Sequence, residues 1–176
     1  GQAGFEEHVA LLGNWLSDEP AIALQEFAEW QGIERTLKKE ADGGRAIERL
    51  KDLKLVPAIR HGDFAPWNLT SDSKGQLLAL DWEWGRARGV PGFDLVHYLS
   101  QEARLVKRMD LESLIPEMES RLEEGVCRNY LNAAGWSGSS HDLLVATAAF
   151  YQSRDFDGSG EMLSRLLGGE SKKGIA

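Results

Sequence analysis

Three side chains of this chain have the types and spacing to do chemistry together: Asp63 and Asn68 in the stretch His61-Gly62-Asp63-Phe64-Ala65-Pro66-Trp67-Asn68, and Asp81 in Leu80-Asp81-Trp82-Glu83-Trp84-Gly85. Asp63 is a carboxylate that could orient a hydroxyl and accept its proton. Asn68 and Asp81 supply an amide oxygen and a carboxylate, hard donors suited to Mg²⁺, which keeps its other positions for water and phosphate. Phosphoryl transfer asks little more of a protein than positioning and charge stabilisation, so the set is sufficient for it. Taken singly, Asp and Asn are also common turn residues that hydrogen-bond their own backbone.

The elements around these residues must bring them together. Leu55-Val56-Pro57-Ala58-Ile59 is too short for a helix and is interrupted by Pro, so it reads as an irregular or edge strand leading into the Asp63 loop. Leu69-Thr70, the polar turn Ser71 to Gly75, and Gln76 to Leu80 read as a hairpin of two short strands. Such a hairpin would return Asp81 opposite Asp63 and Asn68. Glu83 alternates with Asp81 along an extended segment and would share its side, as a supporting or a substrate-facing carboxylate.

The flanks are helical. Phe5, Val9, Leu12 and Leu16 form one apolar stripe that stops near Pro20. Further helices are predicted over Ala21 to Lys39, broken at Asp42-Gly43-Gly44, and over Arg45 to Leu53. After Gly85-Arg86-Ala87-Arg88-Gly89-Val90-Pro91-Gly92 the pattern predicts helices over Phe93 to Val106 and Pro116 to Ala134. A cap cluster Ser139 to Asp142 then opens one to Arg154, and Glu161 to Leu167 is the last. The fold class expected is mainly α with a small β hairpin insert, an α+β arrangement.

Composition narrows the function. The 176 residues amount to one domain, with 42% hydrophobic content, and a formal charge of −8 argues against nucleic-acid binding, which needs a basic face. An acidic surface suits a cationic small molecule instead. The single cysteine, Cys127, cannot form an internal disulfide and reads as core; no apolar run has membrane-span length, and the acidic start lacks a signal peptide. A cytoplasmic protein with no membrane partner is expected. The chain starts at Gly1 and its first methionine is Met109, which reads as a trimmed or processed fragment.

HGDFAPWN followed by LDWEWG resembles the catalytic and metal loops of the aminoglycoside phosphotransferase and choline kinase superfamily, whose members share the protein-kinase-like fold. Protein kinases write these loops as H-R-D-x-x-x-x-N and D-F-G, with Gly62 here in place of the Arg. The resemblance implies Asp63 as the catalytic Asp, Asn68 and Asp81 as the metal and nucleotide-phosphate positions, and His61 as a structural buttress. Pro91-Gly92-Phe93-Asp94-Leu95-Val96-His97-Tyr98-Leu99 is also similar to the family, which implies that Asp94 supports the catalytic loop; a plain helix cap is compatible with this. The match is close over residues 56–99.

The family places an ATP-binding N-lobe before these loops, with a five-stranded sheet, a phosphate-covering loop and a Lys–Glu pair, and no residues here read that way. The resemblance therefore implies a C-lobe of a larger protein: helices after the hinge over 1–54, catalytic and metal loops with the hairpin over 55–92, C-terminal helices over 93–170 and a frayed tail over 171–176. It implies an ATP- and Mg²⁺-dependent kinase for the hydroxyl of a small molecule, either amino-sugar-like or choline-like, completed by the missing N-lobe or upstream domain and inactive as an isolated piece. The alternative is a catalytically silent or regulatory binding module. Trp67, Trp82 and Trp84 either form an aromatic wall for a cationic substrate, Trp84 being the best placed, or pack beneath the loops.

Overall fold

The computed structural model describes residues 4–136 and 140–173. Helices α1 (Phe5–Asn14), α2 (Trp30–Leu37) and α3 (Gly43–Leu50) are the main elements of the first third. α1 buries Val9 and Leu12, as its stripe requires. The helix predicted from Ala21 is delayed to Trp30. Ile22–Ala23 is instead strand β1, paired antiparallel with β2 (Lys54–Leu55), and Leu24–Glu26 is a 3₁₀ turn. The reason is tertiary: the Leu24 and Gln25 amides donate to the Leu53 and Lys51 carbonyls rather than to the preceding turn. Asp42-Gly43-Gly44 does separate two helices. Gly43 opens α3 so close to α2 that a Cβ there would lie 1.7 Å from the Leu37 carbonyl oxygen.

Pro57 splits the predicted apolar strand in two. β3 (Ala58–Arg60) follows it and pairs antiparallel with β6 (Arg86–Gly89), while β4 (Leu69–Ser71) and β5 (Leu77–Ala79) form the predicted hairpin with Leu69 opposite Ala79. The sheets among the described residues are these three two-stranded pairs. β6 was not legible, because Arg-Ala-Arg-Gly has little strand character and its partner lies far away in sequence.

α4 (Phe93–Gln101) continues as a π-helical turn through Val106. α5 (Leu111–Leu122) begins before Pro116, capped by Asp110, whose carboxylate accepts from the Ser113 amide at 2.8 Å. Pro116 therefore lies inside α5 rather than at its start, where it costs one main-chain hydrogen bond. The long helix predicted to Ala134 breaks at Glu123–Glu124, and α6 (Gly125–Ala134) follows. α7 (Ser140–Gln152) is buried nearly all round, from Leu143 through Tyr151, and packs on α2, α3 and α8 (Ser159–Lys173). A helix apolar on every side belongs at the centre of a core. Ser139 of the predicted cap lies outside the described residues. In the predicted tail, α8 extends to Lys173 and 174–176 are outside. Cys127 is fully buried, and burial pushes its thiol up to about 12. No helix of the described residues is long and apolar enough to cross a membrane.

Candidate functional site

The loop after β3 turns at Gly62, whose φ is +89°, and a Cβ there would lie 2.7 Å from both Cβ and the carbonyl oxygen of Trp84. Only glycine meets both demands. Phe64 and Ala65 are buried and anchor the loop. Asp63, between them and Gly62, faces a cleft, and Pro66–Asn68 closes the loop as a 3₁₀ turn.

Asp63 is held from two sides. His97 Nε2–H donates to Oδ1 at 2.9 Å, and Asn68 Nδ2 donates to Oδ2 at 3.0 Å and to the Asp63 carbonyl at 2.8 Å. The His97 hydrogen bond is the main cause that keeps the Asp63 carboxyl below its ordinary value; the His97 charge and Asn68 add to it, and partial burial opposes it. Asp63 is thus an anion at neutral pH. With its amide nitrogen committed to Asp63, Asn68 has Oδ1 as its remaining acceptor.

His61 joins the loop to the hairpin. Its Nε2–H donates to the Leu80 carbonyl at 2.7 Å, which leaves Nδ1 to accept from the Asp63 amide at 3.2 Å. The Leu80 amide in turn donates to the Asn68 carbonyl at 2.8 Å. These bonds fix the end of β5 against the loop, and Asp81 follows directly on the residue that bonds Asn68. Asp81 has φ +62°, a left-handed conformation uncommon outside glycine, and its side chain is exposed. Such backbone strain concentrates at functional sites. The hairpin thus brings the three residues into one neighbourhood, although the Asp81 carboxylate makes no hydrogen bond to Asp63 or Asn68 among the described residues.

Asp94, at the first turn of α4, is buried and accepts from the His61 amide at 2.6 Å and the Gly62 amide at 2.9 Å. Burial pushes its carboxyl up, against the pull of those two donors and of Arg60. The side chain therefore bonds the loop rather than capping its own helix.

The aromatic residues divide. Trp82 packs on Trp15 and His61, with ring centroids 5.0 and 4.5 Å apart, and donates its indole N–H to the Ala79 carbonyl at 2.8 Å. Trp67 and Trp84 are half exposed and line the cleft with Asp63. The cleft is about 560 Å³, within the usual small-molecule range, and Phe150, Tyr151 and Phe156 complete its aromatic wall. Glu83 is exposed and does not line it.

Sequence reasoning missed His97, Arg60, Glu29 and Arg154. His97 lies three residues after Asp94, on the same face of α4, so helical spacing could have found it. Arg60 Nε and Glu29 Oε1 form a buried pair at 3.1 Å across 31 residues of sequence, and Glu29 Oε2 is buried with no hydrogen-bond partner among the described residues. No local pattern announces such a pair. Arg154 lies just beyond α7 at the cleft wall.

No group of three or more His, Cys, Asp or Glu among the described residues could by itself hold a metal ion. Asn68 Oδ1 and the Asp81 carboxylate are hard oxygens on two segments joined by the Leu80–Asn68 main-chain bond, a partial donor set that would suit an ion completed by phosphate and water.

The sequence matches no family profile and no curated protein. Two solved structures are similar in shape. One is choline kinase LicA from Streptococcus pneumoniae, 13% identical with a TM-score of 0.43 over 96% of this chain and 56% of that one. The other is LicA in complex with AMP, 14% identical with a TM-score of 0.38 over 98% of this chain and 55% of that one. The chain thus spans little more than half the length of the LicA chains it matches.

Proposed function

We propose that this chain carries the catalytic half of a kinase-like phosphotransferase that moves the terminal phosphoryl group of ATP to the hydroxyl of a small molecule. The observation that carries the reading is the Asp63 carboxylate, kept ionised and aimed into a small-molecule cleft by His97 and Asn68. In this reading Asp63 orients the acceptor hydroxyl and takes its proton as the oxygen–phosphorus bond forms and the bond from that phosphorus to ADP breaks. Asn68 Oδ1 and Asp81 would hold Mg²⁺, which supplies charge neutralisation at the phosphates. His61 and Asp94 keep the loop in register with the hairpin. Cleft walls of aromatic side chains keep water from competing with the acceptor.

The proposal includes the lobe arrangement implied by the loop motifs, with residues 1–176 as the C-lobe and an N-lobe closing the nucleotide cleft. The test is ATP-dependent phosphorylation of a panel of hydroxylated small molecules by the full-length protein and its Asp63→Asn variant. A drop of roughly a hundred-fold or more with nucleotide affinity retained is expected, since positioned proton acceptors contribute about that much. Turnover unchanged by Asp63→Asn would remove the catalytic role.

A further inference from the structure

The charges inside the cleft do not match the acidic surface of the chain. Of the two arginines that line it, Arg60 is buried and neutralised by Glu29. Arg154 is exposed, its guanidinium lying over the Trp84 ring at 5.2 Å and the Phe150 ring at 5.7 Å, and it makes no ion pair among the described residues. Cation–π contact with two rings holds the guanidinium at the cleft wall, and its N–H groups make no hydrogen bond among the described residues, so they are available to pair with a carboxylate or phosphate in two parallel hydrogen bonds.

The acidic groups expected to attract a cation lie elsewhere. Glu117 pairs with Lys107, Glu123 with Arg128 and Glu124 with Arg121, while Asp155, exposed next to Arg154 in the chain, and Glu83 are outside the cleft lining. Asp63 is the one carboxylate lining the cleft among the described residues, and the reaction occupies it. A cationic acceptor would meet an uncompensated arginine. Asn68 and Asp81 do not line the cleft, so the phosphate-binding positions flank it and the cleft itself takes the acceptor.

We propose that Arg154, held over Trp84, binds an anionic group on the acceptor, so that the substrate is a hydroxylated carboxylate or phosphate rather than an amine. The hydroxyl half of this statement rests on the phosphotransferase reading, whereas the anion contact stands without it. Two arms separate the sources of the anion: D-glycerate carries a carboxylate beside its hydroxyls, and glycerol 3-phosphate carries a phosphate. Ethanolamine is the cationic control.

The experiment is calorimetric titration of the full-length protein, without nucleotide, with these three probes, for the wild type and for Arg154→Gln, Arg154→Lys and Asp63→Asn. One of the anions should bind at least about ten-fold more tightly than ethanolamine. Arg154→Gln should abolish that preference, Arg154→Lys should keep part of it, and Asp63→Asn, which removes the negative charge lining the cleft, should sharpen it. Ethanolamine binding as tightly as both anions, anion binding unchanged in Arg154→Gln, or no anion binding at all would overturn the proposal. Phosphoryl transfer to an amino alcohol that depends on Asp63 and is untouched by Arg154→Gln would sink this inference and leave the enzyme reading standing. Arg154-dependent anion binding with no transfer to any acceptor would do the reverse.

Discussion

Replacing His97 by Phe removes one hydrogen-bond donor and keeps a ring. The imidazole is 3% exposed and stacks on Tyr151 at 5.2 Å, so a phenyl ring of similar outline fits the same slot, and what is lost is the 2.9 Å bond to Asp63 Oδ1. A hydrogen bond to an ionised group contributes about 1.5–3 kcal/mol. The Asp63 side chain is 37% exposed, however, so water screens the bond and replaces part of it in the variant, which brings the expected loss to about 1 kcal/mol. Urea denaturation at pH about 7 reads that loss directly. Its pH dependence carries the test. The folded state holds the Asp63 carboxyl below its ordinary value of 3.8, so the stabilisation is complete above that value and disappears as pH falls through the lower folded value. The gap between wild type and His97→Phe should narrow as pH falls from about 5 toward about 3. In transfer assays the freed carboxylate should lower kcat roughly ten- to a hundred-fold with little change in KM, as misplaced catalytic groups do, and the acid limb of the kcat profile should move up. Refutation would be a gap that does not change with pH, or a double-mutant cycle with Asp63→Ala whose coupling is within about 0.3–0.5 kcal/mol of zero, the range of independent sites.

Three other perturbations probe the scaffold. Gly62→Ala forces a side chain into a left-handed turn and into Trp84, and should cost about 1–3 kcal/mol in urea denaturation while abolishing transfer. Asp94→Ala strips the buried His61 and Gly62 amides of their acceptor and should cost at least about 2 kcal/mol, with faster amide exchange confined first to the Asp63 loop. Arg60→Met leaves the Glu29 carboxylate buried and unpaired, a loss of about 3–5 kcal/mol, and adding Glu29→Gln should restore part of it; no restoration would show that the pair is not what stabilises β3 against α2.

Helix α1, with its clean apolar stripe, and the β4–β5 hairpin with its polar turn could be read directly, because their signals are local periods and turn residues. So could the neighbourhood of Asp63, Asn68 and Asp81, since a five-residue loop and a short hairpin allow few alternatives. Elements that depend on distant partners could not. β1 displaced the first turns of a predicted helix because β2 offers its backbone bonds, and β6 exists because β3 lies beside it. Pro116 sits inside a helix whose start is set by Asp110.

The sequence by itself determined which chemical groups this protein owns and the order in which the loops present them. Tertiary structure alone decided what surrounds those groups: that His97 and Asn68 grip the Asp63 carboxylate, that Trp82 packs while Trp67 and Trp84 line the cleft, and that of the cleft's two arginines the one with no ion pair among the described residues is Arg154. The Arg60–Glu29 pair, 31 residues apart, is chosen by packing, which no local period encodes.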